Sequence, residues 1–106
     1  MQVPAEVLEE LVRRLVAAVH PTRIILFGSA ARGEMHEHSD LDVMVVVPDG
    51  RPHRETWNSA YRSLSRLGYP KDILVVSESI LGKHGGNPGF IYLQALQEGR
   101  EIYHAA

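Results

Sequence analysis

The chain has 106 residues, contains no cysteine and carries a formal net charge of −2 at pH 7. This length predicts one domain over residues 1–106, with one modest core and no room for a separate substrate-binding domain. The lack of cysteine excludes disulfides and thiolate metal sites, and the weak net charge excludes a general attraction to nucleic acid or anionic membranes. No apolar run approaches the roughly 20 residues of a membrane span, and the N-terminus is unlike a signal peptide, so we expect a cytoplasmic protein.

The first elements are an amphipathic helix and a short strand. Residues 4–19 repeat apolar side chains at steps of three and four, which predicts a helix that covers the core. The apolar run from Ile24 to Phe27 predicts a strand, and Gly28 ends it before three small residues. This pattern is typical of a strand that leads into the N-terminus of a helix.

The turn after this strand is suited to a phosphate group. The N–H groups of a first helical turn are unpaired, and Gly28 lets the backbone come close to a ligand. Ser29 adds a hydroxyl donor and Arg32 adds a cation. Gly33 is interpreted as a backbone requirement rather than a contact.

Two aspartates stand at the head of the second predicted strand, residues 40–47. Asp40 and Asp42 are two residues apart, so a strand directs both carboxylates to one side. Because like charges repel and aspartate is poorly suited to strands, this arrangement favours a compensating cation such as Mg²⁺. The apolar run 43–47 predicts a strand buried on both faces. The preceding segment His36 to His38 is interpreted as a solvated loop rather than a transition-metal cluster.

A second helix is predicted over residues 53–67. Its inner face has apolar residues at helical spacing and is expected to pack on the core: Trp57, Ala60, Tyr61, Leu64 and Leu67. Arginines follow its outer side, at positions 54, 62 and 66. For this basic stripe a solvated helix face is favoured over a docking surface.

The third predicted strand covers residues 72–76, with Asp72 at its head. An aspartate that starts a strand is often only a turn residue. A site with two metal ions needs more negative charge than two carboxylates supply, however, and Asp72 is the only acidic residue on this strand. The remaining chain predicts a short helical segment over residues 77–81 and a mobile loop over 82–89. A last helix, beginning near Asn87 and Pro88, is predicted to run to residue 97, and an edge strand is predicted over 100–103.

Two nucleotide-binding motifs are excluded by the residues present. Gly28 and Gly33 have the spacing of a Walker A loop, but Glu34 and Met35 stand where that motif needs Lys and Ser or Thr. The dinucleotide fingerprint fails as well, because Ala30 occupies its second glycine position.

The segments GSAARG at 28–33 and SDLD at 39–42 together resemble the signature of the minimal nucleotidyltransferases, a branch of the DNA polymerase β-like superfamily. The resemblance implies an α/β (α+β) fold with a small mixed sheet flanked by helices. It implies that Gly28 and Ser29 hold the β,γ-phosphates of a nucleoside triphosphate and that Asp40 and Asp42 bind metal. It also expects a third carboxylate on the next strand, which is Asp72.

In this family two Mg²⁺ ions, held by the three aspartates, assist the attack of an acceptor hydroxyl on the α-phosphate. Arg32 remains open between a phosphate contact and a brace for the turn. The resemblance therefore implies transfer of a nucleoside monophosphate, AMP from ATP, onto an acceptor.

Three functional hypotheses follow from the resemblance. Small stand-alone members of this family resemble antitoxins that adenylylate a tyrosine of a helical HEPN toxin, which implies a partner protein as acceptor. The second hypothesis is a binding module that neutralises its partner by contact alone. The third is small-molecule nucleotidylation, as in aminoglycoside modification, which is weakened by the missing substrate-binding domain. No motif that would select the base of the nucleotide is identified, and the sequence gives no direct indication of a nucleic-acid partner.

Overall fold

The computed structural model describes residues 3–35, 39–84, 86–87 and 91–106. Its helices and strands follow one another as α1 (Ala5–Val19), β1 (Arg23–Phe27), α2 (Gly28–Ala31), β2 (Leu41–Val47), α3 (His53–Ser63), β3 (Lys71–Ser77), α4 (Glu78–His84), α5 (Ile91–Glu98) and β4 (Arg100–His104). The four strands form one sheet in the order β3-β2-β1-β4. Only β2 and β3 are parallel, and the other pairs are antiparallel. The fold is therefore a mixed sheet with helices, as predicted.

Strand β2 is the centre of the core and is buried on both faces, which confirms the prediction from its apolar run. Its residues from Val43 to Val47 are at most 3% exposed. Alternate side chains join two separate clusters, as expected for a pleated strand. One cluster contains Leu41, Val43, Val45 and Val47 with side chains of α1 and α3, and the other contains Met44 and Val46 with side chains of α4 and α5.

Helix α1 covers the first of these faces through one apolar stripe. Leu11, Leu15 and Val19 are buried, and they are spaced at four residues, as a core-facing stripe requires. Arg14 extends from the flank of this helix and donates to the carbonyl oxygen of Ser65 at 2.8 Å. This side chain therefore connects α1 to the end of α3.

Helix α3 ends four residues earlier than the sequence predicted. It stops at Ser63, and the following residues form tight turns in which Arg66 takes a positive φ of 62°. The carbonyl groups released at this end are held by Arg14, which contacts the oxygens of Ser63 and Ser65. Within the predicted inner face, Ala60 and Leu64 are fully buried, but Tyr61 is 42% exposed, so its assignment to the core was wrong.

Helix α3 runs antiparallel to β3 and contacts it at regular intervals. Trp57 Nε1 donates to the carbonyl of Ile73 at 2.9 Å, and His53 Nε2 lies 3.2 Å from the carbonyl of Val75. One helical step of four residues rises about 6 Å and two strand residues rise about 6.6 Å, so the two elements stay in step. The outer edge of β3 is thereby covered by side chains of α3.

The glycine-rich segment after β3 is partly helical, which corrects the prediction of a loop over 82–89. Gly82, Lys83 and His84 belong to α4. The helix tolerates Gly82 because Leu81 is buried and anchors it, and Asp49 Oδ1 accepts the N–H of Ser79 in its first turn. Pro88 and the segment 36–38, for which the sequence predicted a helix start and a solvated loop, lie outside the described residues.

The last predicted elements are present. Helix α5 is followed by β4, which pairs with β1 at the edge of the sheet as expected. None of the helices formed by the described residues is long and apolar enough to cross a membrane.

Candidate functional site

The predicted site residues meet at one end of the sheet, where β1 ends and where β2 and β3 begin. Phe27, the last residue of β1, is in register with Asp42, and Asp42 is in register with Asp72 of the parallel neighbour. Adjacent strands lie about 4.8 Å apart, and residues in register point to the same face. The two carboxylates therefore stand side by side on the face covered further along by α4 and α5.

Asp40 lies just before β2 and is exposed, and Asp42, the second residue of β2, is half-buried. The pKa of the Asp42 carboxyl is raised, first because burial disfavours its charged form and then because Asp72 and Asp40 repel a further negative charge. Arg32 opposes this effect. All three aspartates thus interact electrostatically, with Asp42 at the centre.

Gly28 forms the wall of this site next to Asp42. A Cβ atom added at Gly28 would stand 2.2 Å from Asp42 Oδ2, and the glycine has a φ of +67°. A side chain here would meet both a clash and a strained left-handed backbone, so glycine is required at this position. The sequence suggested glycine for approach to a phosphate, but it contained no local signal of the contact with Asp42. Gly33 has a φ of +71°, in agreement with the backbone role predicted for it.

The other two predicted nucleotide contacts lie on the same turn. Ser29 is in the four-residue helix α2, and its hydroxyl donates to Met35 Sδ at 3.5 Å. Since a thioether is a weak acceptor, this hydroxyl can exchange it for a phosphate oxygen at small cost. Arg32 caps the end of α2 and pairs with Glu34 at 3.1 Å and with Glu98 at 3.6 Å. These pairs are the ones expected if Arg32 braces the turn. The side chains of all three residues are more than 40% exposed, however, so the guanidinium remains accessible.

The donor set of the site is suited to Mg²⁺. Carboxylate oxygens are the ligands that this cation prefers, and a cation would relieve the repulsion that raises the pKa of Asp42. No three His, Cys, Asp or Glu residues form a closed metal-binding group within the described part of the chain. Such a cage is not required, since Mg²⁺ is commonly held by one or two carboxylates together with phosphate oxygens of the substrate.

Comparisons with known proteins point to one family. Residues 5–92 match the sequence model of the family described as "Nucleotidyltransferase domain". A Methanocaldococcus jannaschii protein named "putative protein adenylyltransferase" is 40% identical over 53 residues, which are 50% of this chain and 52% of that protein. The chain thus spans about half the length of this relative.

Two solved structures share the fold. A toxin–antitoxin crystal structure with AMP-PNP has a TM-score of 0.68 at 21% identity, over 92% of this chain and 73% of that chain. A complex of a tri-AMPylated Shewanella oneidensis HEPN toxin with an MNT antitoxin has a TM-score of 0.62 at 17% identity, over 94% and 71% of the two chains. Both likenesses cover nearly all of this chain.

Proposed function

Because the chain belongs to the nucleotidyltransferase domain family, we propose that it transfers AMP from ATP to a hydroxyl group of a partner protein and releases pyrophosphate. The observation that carries this proposal is the pairing of Asp42 with Asp72 on parallel strands, beside the Gly28 turn. Carboxylates next to a turn that carries a hydroxyl and a guanidinium group match what phosphoryl transfer needs, namely positioning and neutralisation of charge. The name of the Methanocaldococcus jannaschii relative supports a protein as acceptor.

In the proposed reaction the triphosphate is held by the turn after β1. Ser29 donates its hydroxyl to a phosphate oxygen, and Arg32 contributes positive charge from the end of the same turn. The close fit of Gly28 against Asp42 keeps the phosphates next to the carboxylates. Mg²⁺ held by Asp40, Asp42 and Asp72 would neutralise charge on the phosphates and polarise the reacting oxygens.

The acceptor oxygen attacks the α-phosphorus and forms a new P–O bond. The bond from the α-phosphorus to the oxygen that bridges it to the β-phosphate breaks, and pyrophosphate leaves with that electron pair. Asp72 is the more exposed carboxylate of the pair and is assigned to receive the proton of the hydroxyl. The products are an adenylylated hydroxyl and pyrophosphate.

We further assign the partner as a helical HEPN-type toxin and this chain as its antitoxin. The likeness to the MNT antitoxin complex supports this assignment, since the toxin in that complex is AMPylated. Adenylylation of a toxin hydroxyl would add a bulky anionic group, which can block a site that must bind another ligand.

The test is incubation with Mg²⁺ and ATP labelled at the α-phosphate in a lysate of the source cells. The wild type is expected to label one or a few protein bands, and Asp42→Asn is expected to label none. Glu6→Gln is the matched control, because it removes an exposed carboxylate of α1 and should leave labelling unchanged. Equal labelling by wild type and Asp42→Asn would overturn the proposal. If Asp42→Asn attached no label and still suppressed the activity of the toxin, the protein would act by contact alone.

A further inference from the structure

Positive charge is concentrated in one part of this acidic chain. Residues 50–71 contain five basic residues and one acidic residue, Glu55, for a net charge of +4, whereas the whole chain has a net charge of −2. The remaining residues therefore carry a net charge of −6. The basic residues of this segment are Arg51, Arg54, Arg62, Arg66 and Lys71.

Three of these arginines are not compensated within the protein. Arg54, Arg62 and Arg66 are exposed, and none of them makes a hydrogen bond or salt bridge to another residue in the described part of the chain. Arginines elsewhere behave differently, since Arg13 and Arg23 each pair with a glutamate. Three of the four arginines of this region therefore keep their guanidinium groups available, and only Arg51 among them donates to another of the described residues, the carbonyl of His20.

An exposed aromatic side chain lies among these cations and is held rigidly. The ring of Tyr61 is stacked on Trp57, with centroids 5.0 Å apart and planes inclined by 15°. Lys71 Nζ lies 4.7 Å from the centre of the same ring. Tyr, Trp and Arg are the side chains that most often dominate the energy of protein interfaces, and a ring that is already ordered loses little entropy on binding.

This region adjoins the candidate active site at its Lys71 end, whereas Arg54 lies at the opposite end of α3, next to His53. We call the region the basic surface and define it by Arg54, Tyr61, Arg62, Arg66 and Lys71. Lys71 and Asp72 are consecutive in β3, so their side chains leave opposite faces of the sheet at the same end of the strand. An ordinary protein interface covers about 800 Å² on each partner, which is enough to reach around the end of one strand.

We propose that the basic surface docks the acceptor protein through an acidic face of that protein, beside the end of β3 that carries Asp72. The inference rests on the proposed transfer of AMP to a protein. Docking through the α3 face leaves Asp42 and Asp72 free on the opposite face to receive the acceptor hydroxyl. Charged surfaces of opposite sign also increase the rate of encounter between the partners.

A protein fits this surface better than a nucleic acid. Base stacking needs an open aromatic face, but one face of Tyr61 is stacked on Trp57 and Lys71 lies against the ring. A continuous phosphate backbone would also meet the aspartates at the same end of the sheet. Discrete carboxylates of a folded partner can pair with the arginines and avoid this repulsion.

The first test measures binding of fluorescein-labelled poly-L-glutamate by fluorescence anisotropy at low salt. The wild type is expected to bind it, and the triple variant Arg54→Glu, Arg62→Glu and Arg66→Glu is expected to bind at least about tenfold more weakly. The triple variant Arg13→Glu, Lys83→Glu and Arg100→Glu is the matched control, since it reverses the same number of exposed charges outside the basic surface and should bind as the wild type does. Equal binding by the triple variant, or tighter binding of poly(U) of equal length, would overturn the inference.

The second test repeats the labelling experiment with the same variants. The triple variant should label the acceptor about tenfold more slowly at low acceptor concentration and should bind ATP as the wild type does. Replacement of the three arginines by lysine should restore labelling, because charge is what the surface supplies. Unchanged labelling by the triple variant would overturn the inference while supporting nucleotidyl transfer. No labelling by the wild type would instead overturn the proposed function, and the anisotropy measurement would still decide the docking surface.

Discussion

The backbone of Gly28 lies against the carboxylate of Asp42 so closely that a Cβ atom at position 28 would stand 2.2 Å from Asp42 Oδ2. The turn that is assigned to the phosphates and the strand that is assigned to the metal therefore share one wall. A side chain at position 28 would therefore displace the carboxylate of Asp42. This contact makes the distance between phosphate donors and carboxylates a fixed property of the fold.

Gly28→Ala is expected to lose activity more than stability. The added Cβ must displace the Asp42 side chain, and the positive φ adds a backbone cost of about 1–2 kcal/mol. We expect at least a tenfold loss in the labelling assay with a modest decrease in melting temperature. Gly50→Ala is a suitable control, because its φ is also positive while a Cβ there meets nothing within 4 Å. Similar losses of activity in both variants would show that the contact with Asp42 is unimportant.

Asp42→Asn should stabilise the metal-free protein at neutral pH. The pKa of Asp42 is raised in the folded state, so the folded chain holds this proton more tightly than the unfolded chain, and ionisation costs folding free energy. The cost is present in full above the raised pKa and disappears as the pH falls below the ordinary carboxyl value of about 4. Melting temperatures in a chelator should therefore be higher for Asp42→Asn at pH 7 and should converge near pH 3. A difference that persisted at pH 3 would have a cause other than charge.

Asp72→Asn tests the third carboxylate. We expect a loss of about 100-fold or more in nucleotidyl transfer, because stabilisation of transition-state charge by a bound metal contributes several kcal/mol. The variant should remain folded, since Asp72 is exposed and its neutralisation relieves repulsion with Asp42. Circular dichroism and the labelling assay together measure both effects. Full activity of this variant would remove Asp72 from the site.

Arg14→Ala should destabilise the protein by about 1.5–3 kcal/mol, the range for hydrogen bonds that involve a charged group. Its guanidinium holds the carbonyl of Ser65 at 2.8 Å and so fixes the end of α3. Arg13→Ala, which removes a pair whose arginine is 69% exposed, should change stability by less than about 1 kcal/mol. Urea denaturation of the two variants provides the comparison, and equal effects would contradict the role given to Arg14.

Trp57→Phe should cost about 1 kcal/mol, because the carbonyl of Ile73 loses its donor while most of the ring packing is kept. Thermal denaturation followed by circular dichroism measures the change. A melting temperature equal to that of the wild type would mean that water replaces the indole N–H without cost.

Local sequence signals predicted the parts of the fold that depend on local rules. The apolar run that ends at Phe27, the glycine after it and the five apolar residues after Asp42 are sufficient to define two strands and the turn between them. The two-residue period of a strand then places Asp42 and Asp72 on one face, once the strands pair in register. This pairing itself is long-range, and only the family resemblance suggested it.

Features that depend on distant contacts could not be predicted. Leu64 and Leu67 continue the helical period of α3, but Arg14 binds carbonyls at its end from about fifty residues away, and the helix stops at Ser63. Tyr61 has the spacing of a core residue. Tyr61 remains exposed because it stands opposite Lys71, where β3 begins. The strand has no earlier residue that could cover the ring.

The sheet separates the candidate active site from helix α3, and this separation affects how such a protein can change over evolutionary time. The carboxylates of Asp42 and Asp72, which are assigned to the site, lie on one side of the sheet, whereas α3 packs on the other side and covers the outer edge of β3 through Trp57 and His53. Substitutions on the exposed side of α3 therefore leave these two carboxylates untouched. One unchanged centre for chemistry could be directed to new partners by altering a single helix.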